Sequence, residues 1–153
     1  MSVRVIDGLE GLKSLVGQTL GTSPWLEITQ DRVNAFAEAT GDTQWIHCDP
    51  DRSRRDSPYG TTIAHGFLTL SLIPLLTQQV VTIEGARMGV NYGLNRVRFP
   101  NAVKVGSRIR MKIQLTNLRE IQGVIQLTYI NSFEVEGDDK PCCVAETVAR
   151  VYF

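Results

Sequence analysis

The segment from Ile63 to Gln79 constrains the fold more than any other part of the chain. It carries Phe67, Leu68, Leu70, Leu72, Ile73, Leu75 and Leu76, so a helix built here is apolar almost all round. A helix without a polar face has to be enclosed by the rest of the molecule. Thr61 to Val81 is also about long enough to span a bilayer, but it contains His65, Pro74, Gln78 and Gln79 and lacks flanking anchors. A central core helix is the expectation, kinked or loosened at Pro74 because proline lacks the N–H that helix continuation needs.

Composition sets what can surround such a helix. The 153 residues suit one domain, taken as 1–153, with no repeat or linker to divide them. Hydrophobic residues are 42% and charged residues 21%, ordinary values for a soluble globular protein. Sixteen Lys+Arg offset sixteen Asp+Glu, which argues against nucleic acid as partner, since that affinity rests on excess cations. Cys48, Cys142 and Cys143 are an odd set, and Met1–Glu10 is mixed polar, unlike a secretory or transit signal. A reducing cytoplasm is expected.

Periodicity then fills in the elements. Asp7 and Glu10 have capping-box spacing ahead of Leu9, Leu12, Leu15 and Val16, which predicts a short helix ending at Gly17. Trp25–Ile28 reads as a short strand. Thr29 caps a helix bearing Val33, Phe36, Ala37 and Thr40 on one face and stopping at Gly41. Asp42–Gly60, dense in Asp, Pro, Arg and Ser, reads as largely loop, with one helical turn starting at Asp49-Pro50. Met88–Phe99 predicts a strand broken by Gly89 and Gly93. Ile109, Met111, Ile113 and Leu115 alternate with polar residues, as do Ile125, Leu127, Tyr129 and Phe133 after a hairpin connection at Arg119–Gly123. Cys143–Tyr152 is the last strand. Helices first and antiparallel strands after make an α+β domain.

Two stretches carry candidate chemistry. Thr40-Gly41-Asp42-Thr43-Gln44-Trp45-Ile46-His47-Cys48-Asp49-Pro50 sets a carboxylate and an imidazole five positions apart, just after a helix stop. A loop can bring both to one point, and an Asp/His pair suits proton transfer near neutral pH; Asp42 as a turn cap and His47 as a satisfied loop histidine is the competing reading. Gly60-Thr61-Thr62-Ile63-Ala64-His65-Gly66-Phe67 opens the apolar helix, where first-turn N–H groups lack intrahelical partners and glycine permits close approach of a ligand. Packing of the helix against the sheet explains the same glycines. His47, Cys48 and His65 have no spacing of a known zinc site, so no metal is expected. Arg52, Arg54 and Arg55 read as solvated loop charges or as contacts for the phosphates of a ligand.

Thr40-Gly41-Asp42…His47…Asp49-Pro50 followed by Ile63-Ala64-His65-Gly66 resembles the MaoC-like dehydratases, or (R)-specific enoyl-CoA hydratases. Asn91-Tyr92-Gly93-Leu94-Asn95-Arg96-Val97-Arg98-Phe99-Pro100 is similar to the NodN-type branch. The resemblance spans nearly the whole chain. It implies a hotdog fold, an antiparallel sheet wrapped around a long central helix, working as a homodimer without cofactor. It implies syn addition of water to a trans-2-enoyl thioester of coenzyme A or acyl carrier protein. Asp42 and His47 match the catalytic pair and Gly66 the glycine whose N–H faces the thioester oxygen; Gly60 and His65 are candidate substrate contacts beside it. A family serine further along the helix falls on Pro74, leaving Ser71 as a possible substitute. A hotdog thioesterase, or a non-catalytic acyl-thioester binder of the nodulation type, are the alternatives.

Overall fold

In chain order the polypeptide forms β1 (Arg4–Ile6), α1 (Gly8–Ser14), β2 (Thr19–Thr22), β3 (Leu26–Glu27), α2 (Gln30–Thr40), α3 (Trp45–Cys48) and α4 (Pro50–Asp56). There follow α5 (Gly66–Ser71), α6 (Ile73–Gln78), β4 (Val81–Ile83), β5 (Met88–Arg98), β6 (Arg108–Ile121), β7 (Val124–Val135) and β8 (Cys143–Tyr152). These come from a computed structural model that describes residues 2–153. One antiparallel sheet has the order β2-β6-β7-β8-β5, with β3 also on β6, while β1 and β4 pair in parallel. The sheet lies against α5 and α6, giving the α+β hotdog arrangement.

Alternation builds the inner face of the sheet. Ile109, Met111, Ile113 and Leu115 are all at most 1% exposed, and Leu127 and Phe133 are fully buried beside them. Gln122 and Gly123 both have positive φ, 50° and 81°, the backbone a two-residue hairpin needs to match strand twist. The glycines of β5 do not break it. It runs continuously along β8, with register shifts at Asn91/Gly93 and Leu94/Arg96 that act as bulges.

The apolar helix departs from expectation in two ways. It is two short helices meeting at Leu72, because Pro74 has no N–H to offer the Leu70 carbonyl. The buried row is Leu68, Leu72 and Leu76, with Thr69 beside it; Phe67 is 68% exposed and Leu75 38%. This chain by itself therefore encloses one face, not both. Met88, Val90, Tyr92 and Leu94 of the edge strand β5 are exposed as well.

Two further expectations need correction. Asp7 makes no side-chain cap to α1, and Glu10 pairs instead with Lys13 at 3.0 Å, so the capping box is not formed. Asp42–Gly60 is more helical than its composition predicts. Gln44 precedes the turn of α3, and Asp49 Oδ1 accepts the Arg52 N–H at 2.9 Å, starting the seven-residue α4 rather than a single turn. Low apolar content hid a helix held mainly by its cap. Among the described residues, no helix is long and apolar enough to cross a membrane.

Cys142 and Cys143 are buried at the start of β8, and loss of hydration pushes both thiols up to about 12. Neither should react with a thiol reagent at pH 8 until the protein unfolds. Mass spectrometry after native and denaturing alkylation checks this; rapid native labelling of either would contradict the burial.

Candidate active site

Local capping delivers Asp42 to the site. Thr29 accepts the Arg32 N–H at 3.2 Å to start α2, and Gly41, at φ 80°, ends it by turning the chain left-handed. Asp42 follows at once, exposed, its Oδ1 3.5 Å from the Gln44 N–H. The short α3 then turns His47 inward, 6% exposed, where its Nδ1 donates to the Ile63 carbonyl at 2.7 Å. A carbonyl only accepts, so the Nδ1–H tautomer is set and Nε2 is left for chemistry.

The two sequence stretches converge. A carboxylate oxygen of Asp42 and a ring nitrogen of each of His47 and His65 lie within 4.8 Å of one another. Two hydrogen bonds of about 2.8 Å at a tetrahedral angle join atoms about 4.5 Å apart, so one water fits between such groups. A metal does not fit as well. The His47 and His65 rings stack at 3.8 Å with 25° between their planes. Lone pairs lie in the ring planes, and planes so slightly inclined meet beyond the roughly 2.1 Å reach of a metal–nitrogen bond.

The other candidates differ in their surroundings. Gly66 opens α5 with a first-turn N–H that no intrahelical carbonyl can take. A Cβ there would stand 3.0 to 3.2 Å from the Phe99 ring, so its lack of side chain also serves packing. Gly60 is exposed in a turn with φ +70°, its N–H on the Ser57 carbonyl, and that left-handed backbone accounts for glycine. His65 is 3% exposed with Nε2 on the Asp42 carbonyl at 2.9 Å, which leaves Nδ1 as its uncommitted ring nitrogen. Ser71 donates to the Phe67 carbonyl at 2.6 Å and Pro74 is exposed, so neither joins the Asp42–His47 pair. Arg52 lies over Trp45 at 4.3 Å and pairs with Asp56, while Arg54 pairs with Asp51.

Gln30 and Thr62 were not singled out by sequence. Gln30 Nε2 donates to the His47 carbonyl at 2.7 Å, and its Oε1 accepts the Thr62 hydroxyl at 2.6 Å. Together they tie α2, α3 and the strand-like approach to α5. A polar residue at the start of a capped helix gives no signal of that role. Along α5 and α6 runs a cavity of about 620 Å³, mostly apolar, lined by Leu70, Ile73, Pro74, Tyr92, Leu94 and Thr147 among others.

The sheet lying against α5 and α6, with Asp42, His47 and His65 gathered just before α5, is a hotdog arrangement. The chain matches the MaoC-like domain over residues 12–136 and belongs to that family. It is 48% identical over 149 residues to 3-hydroxyacyl-thioester dehydratase Z of Mycobacterium tuberculosis, covering 97% of this chain and 98% of the relative. It is 42% identical to nodulation protein N of Rhizobium meliloti, covering 95% and 91%. The solved (R)-hydratase from A. caviae superposes with a TM-score of 0.69 at 26% identity, over 88% of this chain and 94% of that one.

Proposed function

We propose that this protein is a hydro-lyase, an (R)-specific hydratase and dehydratase of 3-hydroxyacyl thioesters, acting as one domain across the chain. The observation that carries the reading is the convergence of Asp42 and His47 to within the span of one water. Its relatives by sequence and structure support the same reaction class.

In hydration, Asp42 and His47 hold one water over C3 of the enoyl thioester. One group takes a proton from that water as its oxygen bonds to C3. The other delivers a proton to C2 on the same face, and transfer between the two resets the pair. Since Nδ1–H is engaged by Ile63, the imidazole proton exchanged is the one on Nε2. Negative charge grows on the thioester oxygen, which the Gly66 N–H receives. One such donor is typically worth about 3–4 kcal/mol. The six-residue α5 makes this a matter of first-turn amides more than of a long helix dipole. The thioester acidifies C2, so these residues need no cofactor. The carrier is coenzyme A or acyl carrier protein, in a reducing cytoplasm. Mixing the purified protein with crotonyl-CoA should remove the enoyl absorbance without releasing free thiol. Thiol release instead would make it a thioesterase, and neither change would make it a binding protein.

The working unit is a homodimer. The open edge of β5 and the uncovered Phe67 and Leu75 face form apolar surface that a second copy covers. Light scattering at micromolar concentration should give about twice 17.0 kDa, and a monomer would contradict this.

A further inference from the structure

His65 is a buried titratable group beside the site that the reaction above leaves unused. Its Nε2 faces the Asp42 carbonyl at 2.9 Å, so Nε2 carries the hydrogen and Nδ1 is a bare lone pair. That Nδ1 is buried with no hydrogen-bond partner. Leaving a buried acceptor unpaired costs stability, which an apolar ring of similar shape would avoid. The same ring stacks on His47 at 3.8 Å and packs against Phe36 at 4.9 Å. An amide side chain could bond Asp42 without stacking. A phenyl could stack without bonding.

We infer that His65 is a positioning residue that holds Asp42 through its main chain and His47 through its ring, and thereby fixes both relative to the Gly66 amide. The link to Gly66 is covalent: the Gly66 nitrogen is bonded to the His65 carbonyl carbon. Any shift of the amide therefore carries the His65 backbone with it. His47 has other supports, Gln30 on its carbonyl and Ile63 on Nδ1. Asp42 has little else, its Oδ1 contact with the Gln44 N–H being 3.5 Å long. Losing His65 frees Asp42 more than His47. A misplacement near 1 Å costs about a hundredfold in rate when geometry carries the catalysis.

The kinetic arm of the test rests on the hydratase reading; the spectroscopic arm does not. In the intact protein without substrate, nitrogen NMR of labelled histidines should show His65 as the Nε2–H tautomer. His65→Phe should speed amide exchange at Thr43 and Gln44, whose N–H groups lie against the Gly41 carbonyl and Asp42 Oδ1, and His65→Gln should do so less. On crotonyl-CoA, His65→Phe should lower kcat by about ten- to a hundredfold with KM within about threefold, and His65→Gln should recover much of that loss. An Nδ1–H tautomer in the wild type overturns the inference even if neither variant folds. So does raised KM with unchanged kcat, the mark of a substrate contact. So does lowered thermal stability with turnover per folded molecule preserved, the mark of packing alone. Absence of hydration by the wild type, with the tautomer and exchange results as stated, removes the hydratase reading and leaves the positioning role standing.

Discussion

Asp42→Asn and His47→Gln should each lower hydration turnover by at least about two decades while the folded state persists. Asp42 is exposed and its carboxylate makes one long contact, so asparagine removes a proton carrier with little structural consequence. Glutamine at position 47 can still donate to the Ile63 carbonyl, which preserves the one bond the imidazole makes inward. What it cannot do is cycle a proton. Circular dichroism and melting should match the wild type. Turnover like the wild type in either folded variant would remove that residue from the mechanism.

Gly66→Val should lower turnover by about two to three decades, the size of one lost oxyanion donor. Valine both blocks the approach of the thioester and collides with Phe99, so Gly66→Ala is the sharper probe. Gly66 is not in the left-handed region, and alanine gains about 1 kcal/mol of helix propensity. Its Cβ would still stand 3.0 Å from the Phe99 ring, which is 39% exposed and free to give way. Thermal stability should change by no more than about 1 kcal/mol while turnover falls about tenfold or more. If crowding were the cause, adding Phe99→Leu would restore activity. The oxyanion role predicts that the double variant stays impaired.

Local rules were the legible part of this chain. Thr29 and Gly41 bound α2 as cap chemistry requires, and alternation placed β6 and β7 with their buried faces. Composition misled where a cap outweighed it, in α4, and spacing misled where Asp7 and Glu10 failed to close a box. The central helix was legible in its apolar character and in the effect of Pro74, but not in which face the sheet would cover. Burial of a helix face depends on strands distant in sequence, and those are not read from the helix itself. At the site, a five-residue spacing predicts no distance. Only α3, a single turn set by Gln44, brings His47 back toward Asp42. The stacking of His65 on His47 and the clamp made by Gln30 join residues 17 to 32 positions apart and leave no periodic trace.

Hydration of crotonyl-CoA in deuterated water tests the central claim most directly, because it reads the reaction, its face and its proton path in one product. With Asp42 and His47 working from one side of the enoyl plane, the 3-hydroxybutyryl thioester should be (R) at C3. Its C2 should carry one deuterium on the same face as the new hydroxyl. Anti addition, an (S) product, or release of free coenzyme A without a hydroxyacyl product would contradict the account.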